Sequence, residues 1–266
     1  MKQTMVLKLA PTPEQHAALL ETLHTFNDAC NYAAGIAYTT HTSNKFELQK
    51  LVYAPLRIQY HLPAQIAIRA ISKTIEAYKR DKSIKPTFRS EGAMVYDPRI
   101  MSFKGWEHVS LLTLHGRVLV PFRFGAYQQA RLEAIRGQAD LLYRDGRFSL
   151  AVTLEVPEPS PDEPQGTLGV DLGMVNLATD SDGHTFSGEQ VEHTRKKILA
   201  LRSALQAKGT KSAKRHLKKM GRRESRFHRQ VNHRIAKQLV QKAKNTKRGI
   251  ALEDLRHIRE RTDARL

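Results

Sequence analysis

Met5, Leu7 and Leu9 alternate with Lys8 and Ala10 at the start of the chain, the period of a short half-buried strand. Thr12 then offers an N-cap, Pro13 suits the first helical position, and Gln15 completes a capping box. Leu19, Leu23, Phe26 and Cys30 follow at steps of four, three and four, which places them on one helical stripe. Ile68, Ile71, Ile75 and Tyr78 repeat that spacing and predict a second helix over Pro63–Arg80. Both stripes read as core.

The pattern changes to strands between 86 and 156. Val109, Leu111 and Thr113, then Val118 and Val120, flank His115-Gly116. Leu142 and Tyr143 are separated from Phe148, Leu150 and Val152 by Asp145-Gly146, a hairpin signal. A helix is expected over Tyr127–Asp140. These elements describe a β-rich, barrel-like module over 1–156, with the early helices, about 12–82, inserted after its first strand. Four prolines between Pro157 and Pro164 exclude helix and central strand, and they predict a linker over 157–166.

A second domain is expected over 167–266. Leu168–Asp171, Val175–Thr179 and Thr185–Phe186 read as strands, with Gly173 and Ser181-Asp182-Gly183 as turns. Two long helices follow, one carrying Ile198, Leu201 and Leu205, the other Phe227, Val231, Ile235 and Leu239. Gly249 is expected to stop the second helix, and Ile250–Leu252 reads as a strand leading to Glu253. The fold class is therefore α+β. No internal repeat is evident.

Composition adds one decisive fact. The formal net charge is +18, and its distribution matters more than its size. Residues 1–190 hold 20 Lys+Arg against 20 Asp+Glu; residues 191–250 hold 20 Lys+Arg against only Glu192 and Glu224. Such a block repels itself until a partner supplies phosphates and releases their counterions. Nucleic acid fits that description better than an anionic membrane or an incidental basic face. The single cysteine, Cys30, excludes an intrachain disulfide and a cysteine zinc ribbon. No run approaches 18 apolar residues, and the N-terminus lacks a signal-peptide layout, so a soluble, intracellular chain is expected.

The sharpest chemical signal is Gly169-Val-Asp171-Leu-Gly173, an acid in an apolar strand beside glycines. A buried carboxylate costs several kcal/mol unless it is paired, and a divalent cation is one partner. Backbone N–H groups of the following turn are the other. Glu253 ends a second apolar strand, so a sheet that joins the two strand ends lets Asp171 and Glu253 share Mg²⁺ or Mn²⁺. Hard carboxylate oxygens suit the metal-assisted hydrolysis of phosphodiesters. The twelve histidines are scattered: His228 and His233, or His16 and His24, lack the spacing of a helical metal clip. Trp106 and Phe103 could stack on a base or pack in a core. Lys85, Arg89, Arg99, Arg117 and Arg123 are further candidates for phosphate contacts.

Four stretches resemble the TnpB (IS605 OrfB-type) transposon proteins, relatives of the compact type V CRISPR (Cas12f-like) nucleases. They are Lys8–Gln15, Leu168–Thr179, the basic helices, and Ile250–Leu255. The resemblance spans nearly the whole chain. It implies a β-barrel wedge with a helical recognition insertion, followed by an RNase H-like (RuvC) domain. It places the first catalytic Asp on Asp171 and the catalytic Glu on Glu253, both as metal ligands. It implies guide RNA from a transposon end and target DNA as partners, gripped by the basic helices. The candidate contacts there are Arg195, Lys196, Lys197, Arg202, Lys211, Lys214, Arg215, Lys218, Lys219, Arg222, Arg223, Arg226, Arg229 and Arg234.

The resemblance also implies a zinc ribbon and a third catalytic Asp. The sequence has no cysteines for the ribbon, and it ends thirteen residues after Glu253, with Asp254 and Asp263 as the only later aspartates. The expectation is an incomplete RuvC domain that binds nucleic acid and is impaired in cleavage. The alternatives are an active Mg²⁺-dependent RNA-guided DNA endonuclease, and an actin-like or sugar-kinase-type nucleotide-binding protein, whose first phosphate loop Gly-Val-Asp-Leu-Gly also resembles. The expected location is the cytoplasm, in association with the nucleoid. Oligomeric state is left open.

Overall fold

A computed structural model describes residues 1–158, 160 and 163–254. Part of the proline-rich stretch (159, 161 and 162), together with Leu255 and Asp263, lies outside the described residues. The chain divides into two compact units, Met1–Glu158 and Pro159–Leu266.

The first unit opens with strand β1 (Lys2–Leu9), followed by three helices, α1 (Pro13–Thr39), α2 (Lys45–Ile58) and α3 (Ala64–Arg80). Helix α1 starts as its sequence requires. The Thr12 hydroxyl accepts from the Gln15 N–H at 3.3 Å, and the Gln15 side chain accepts from the Thr12 N–H at 3.1 Å. Leu19, Leu23, Phe26 and Cys30 are all buried. On α3 the buried stripe is Ile66, Ala67, Ala70, Ile71, Thr74, Ile75 and Tyr78, so it lies one step round from Ile68, which is only partly covered. Helix α2 was not expected. Its signal is Leu48, Val52 and Leu56 at steps of four, all fully buried, and Pro55 interrupts only its last turn.

Six further strands complete the unit: β2 (Met94–Tyr96), β3 (Met101–Lys104), β4 (His108–Thr113), β5 (Gly116–Arg123), β6 (Ile135–Arg144) and β7 (Arg147–Glu155). They pair antiparallel in the order β2-β6-β7-β1-β5-β4-β3. The edge strands β2 and β3 are consecutive in the chain and separated only by residues 97–100, so the sheet must curl into a nearly closed form. The helix expected over Tyr127–Asp140 is corrected. Only one turn, α4 (Ala126–Gln129), and a 3-10 turn at Leu132–Ala134 form before β6 begins. Gly137 at φ +72° and a register shift between Ile135 and Ala139 let the chain enter the sheet. Ala139 and Leu141 then alternate inward, and Asp145 and Gly146, both at positive φ, turn the chain into β7.

A polar knot pins the segment after α3 to the helices. The buried Asn27 amide donates to the carbonyls of Leu23, Ser90 and Gly92, and its oxygen accepts from the Lys73 ammonium at 2.8 Å. A Cβ on Gly92 would lie 2.9 Å from the Arg89 carbonyl oxygen, so this close approach requires glycine. Lys73 also stands over the rings of Phe26 and Phe88, 5.2 and 5.0 Å from their centroids. Burial pushes its ammonium below the ordinary lysine range.

The second unit builds a four-stranded sheet from β8 (Thr167–Asp171), β9 (Asn176–Asp180), β10 (Thr185–Ser187) and β11 (Gly249–Leu252), in the order β10-β9-β8-β11. The first three form an antiparallel meander, whereas β11 runs parallel to β8. Between β10 and β11 lie α5 (Glu189–Lys208) and α6 (Lys211–Asn245), joined through Gly209 at φ +61° and capped at Thr210. Leu168, Val170 and Ala178 from the sheet pack with Leu239 and Ala243 from α6. Gly249 does not stop this helix: α6 ends at Asn245, Lys247 takes the left-handed conformation at φ +52°, and Gly249 is already in β11. Among the described residues, no helix is long and apolar enough to cross a membrane.

Candidate functional site

The parallel pairing of β8 and β11 brings together the two acids singled out in the sequence. Leu168 lies opposite Ile250 and Val170 opposite Leu252. One step further, the register sets Asp171 at the end of β8 opposite Glu253, just beyond β11. Side chains alternate along a strand, so Asp171 stands on the sheet face opposite Val170, which is buried with α6. Both carboxylates are exposed. The premise of a buried Asp171 is therefore corrected, because β8 ends there and its neighbours in 172–176 are exposed as well. Asp254 follows Glu253 outside the strand.

The setting of these two acids differs from that of most acids in the unit. Asp182 forms a two-pronged pair with Arg248, at 2.9 and 2.6 Å, and meets Lys242 at 2.8 Å. Lys242 also meets Asp180 at 2.6 Å, and the Asp180 carboxylate accepts from the N–H groups of Asp182 and His184. Arg248 and then Lys242 hold the Asp182 carboxyl far below its ordinary value, and Lys242 does the same, less strongly, for Asp180. This clamp fastens the end of α6 and the start of β11 to the β9–β10 turn. The local sequence predicts only a turn at Ser181-Asp182-Gly183, because nothing nearby in the chain links it to Lys242 and Arg248. Glu192 pairs with Arg195 at 2.7 Å, and Glu224 with Arg202 at 2.7 Å. Asp171 and Glu253 have no hydrogen bond or ion pair among the described residues; Glu163 and Glu189 are unpaired too but stand elsewhere, before β8 and at the start of α5.

The donor set fits one hard divalent cation bound by two carboxylates and water. Among the described residues there is no group of three or more His, Cys, Asp or Glu side chains that could hold a metal.

The candidate nucleic-acid contacts lie on α5 and α6. Arg195, Lys196 and Lys197 are exposed on α5, and Arg202 on the same helix reaches across to Glu224 of α6. Lys211, Lys214, Arg215, Lys218, Lys219, Arg222, Arg223, Arg226, Arg229 and Arg234 are all exposed along α6. Arg215, Lys218, Lys219, Arg222 and Arg223, with His216, line an open groove of about 560 Å³ whose floor includes Leu201 and Met220. In the first unit Trp106 is 54% exposed at the β3–β4 turn and is no core residue, whereas Phe103 packs edge-on against Phe122. Arg117 donates to the Arg99 carbonyl and to Ser110.

The second unit is thus a small α/β sheet that sets two carboxylates at neighbouring strand ends and carries a basic helical hairpin. Residues 149–257, which run from within β7 into this unit, match the model of the OrfB_IS605 family, described as a probable transposase, a match that agrees with the TnpB resemblance. No curated protein matches by sequence. Among solved structures, the chain is similar to one described as a CRISPR-Cas12f ternary complex, with 13% identity, a TM-score of 0.42 and 94% of this chain covered. It spans 65% of that chain's length. It is also similar to a Cas12f1–sgRNA–target DNA complex, with 15% identity, a TM-score of 0.39, and 99% of this chain and 76% of that chain covered.

Proposed function

We propose that this chain is a nucleic-acid-binding protein of the RNA-guided DNA endonuclease type, with guide RNA from a transposon end and target DNA as partners. The observation that carries the proposal is the concentration of cations. Residues 191–250 hold 20 Lys+Arg against two acids, and 18 of the 20 lie on the α5–α6 hairpin, most of them exposed. The OrfB-type match over the same segment supports it. Each cation that meets a phosphate releases condensed counterions, so the hairpin grips RNA or DNA with little regard to sequence.

The second unit is read as an RNase H-like (RuvC) domain. Support comes from its sheet, a three-stranded antiparallel meander with a fourth strand parallel to the first. Asp171 and Glu253 would hold Mg²⁺ or Mn²⁺, which supplies an activated water and a stabilised leaving oxygen in phosphodiester hydrolysis. Their own part is to fix the cation at the strand ends, while α5 and α6 hold the backbone. The two carboxylates gathered among the described residues are fewer hard ligands than a two-cation centre requires, so binding is proposed as the primary property and cleavage as the second reading.

The test is binding of labelled RNA and DNA over a salt series, followed by Mg²⁺-dependent cleavage beside Asp171→Ala and Glu253→Ala. Steeply salt-dependent binding that both substitutions leave unchanged is expected. Cleavage abolished by either substitution would establish the second reading, and affinity indifferent to salt would overturn the proposal.

A further inference from the structure

The loop between β8 and β9 starts one residue after Asp171 and turns apolar side chains into solvent. Leu172 is 42% exposed, Met174 93% and Val175 84%. Large apolar side chains this open, adjacent to one another and to a candidate catalytic carboxylate, call for a partner. The loop is also held in place. The Gly188 N–H donates to the Val175 carbonyl at 2.7 Å. A Cβ on Gly188 would lie 2.6 Å from the Met174 carbonyl oxygen and 2.8 Å from that of Val175. A Cβ on Gly173 would lie 2.9 Å from the Asn176 carbonyl oxygen. Glycine at 188 and at 173 therefore permits these close backbone approaches, and the Gly188 hydrogen bond holds the loop while the Met174 and Val175 side chains stand in solvent.

We propose that this loop is an apolar prong that packs against an unstacked base of the nucleic acid at the Asp171–Glu253 edge. The inference rests on the binding reading above. Charge selects the occupant: the unit carries 20 cations over residues 191–250, so the molecule drawn to it is a polyanion. The apolar surface that a nucleic acid offers is the face of its bases. A base face is available to the prong in a single strand or at an opened step, where Met, Leu and similar side chains serve as wedges between bases. The unbranched thioether of Met174 adapts to any base, so the contact needs no sequence preference. By holding one base flanking a phosphate, the prong would present that phosphate to the carboxylates.

Site-directed photocrosslinking tests this on the full chain. Cys30 is buried and its thiol is pushed up to about 12 by that burial, so it stays unreactive at neutral pH. Met174→Cys then gives one reactive thiol, which is labelled with an aryl azide and irradiated with a single-stranded DNA of about 20 nucleotides. A covalent adduct with the DNA is expected. The unlabelled double variant Met174→Ser/Val175→Ser should lose about tenfold in single-strand affinity while keeping its salt slope. An adduct with polypeptide alone, or a double variant that binds as the wild type does, would overturn the prong and leave the binding reading intact. Failure of the wild-type chain to bind RNA or DNA would remove both.

Discussion

The two units solve the folding problem with different means. The first buries a continuous core that joins the curled sheet to α1, α2 and α3, and it holds 20 Lys+Arg against 14 Asp+Glu. Among the described residues, the buried apolar cluster of the second is Leu168, Val170, Ala178, Leu239 and Ala243, and α5 has no buried residue. Ion pairs take up part of the work: Asp180 and Asp182 with Lys242 and Arg248, and Arg202 with Glu224. A hydrophobic core responds little to polyanions, whereas a cationic hairpin is relieved of its self-repulsion by them. The comparison teaches that the first unit is held by burial, while the second displays the cationic surface proposed to meet a charged partner.

The comparison breaks if the core of the first unit proves soft. Phe26 is fully buried on α1 and also lies under the Lys73 ammonium. Phe26→Ala should cost about 3–5 kcal/mol, the usual range for removing a buried aromatic side chain, measured by denaturant unfolding. Phe227 on α6 is only half-buried, so Phe227→Ala should cost much less. Equal losses would mean that the second unit is held by burial after all.

The second measurement concerns the hairpin. Arg215, Lys218, Lys219 and Arg223 line one groove between α5 and α6. Changing all four to Gln should weaken RNA or DNA binding about 100-fold near physiological salt and lower the salt slope by about 3. Thermal stability should stay level or rise, because like charges are removed. A variant with undiminished affinity would place the polyanion site off this groove.

These contrasts follow how far the sequence could be read. Elements whose own residues decide their fate were legible, such as α1 with its Thr12–Gln15 box, and the β6–β7 turn at Asp145-Gly146. Asp171 and Glu253 stood out because each ends an apolar strand, although both carboxylates are exposed and the burial that first singled out Asp171 is not there. Where a distant partner decides, the sequence misleads. Ala130–Ala139 contains Arg, Leu, Glu and Gln with good helical propensity, yet pairing with β7 turns its second half into strand. Helix α2 hid behind Pro55. The clamp on Asp180 was illegible because Lys242 follows it by 62 residues.

That clamp gives the smallest effect and the finest test of the comparison. Arg248 and Lys242 lower the Asp182 carboxyl, and Lys242 lowers that of Asp180, from an ordinary value of 3.8. A group whose folded value is depressed adds stability that is fully present above its unfolded value and fades as pH falls toward the folded one. The clamp should therefore be constant from neutral pH down to about 4 and weaken below 3.8. At the alkaline end it should persist past 10.5, because the same contacts raise Lys242. Hydrogen exchange of β11, corrected for intrinsic rates, is the readout. Exchange there should quicken below pH 4 while the buried strands β1 and β7 hold, and Asp182→Asn should reproduce part of that loosening at neutral pH. Unchanged exchange in β11 under both treatments would show that pairing with β8 alone sets the register that brings Glu253 opposite Asp171.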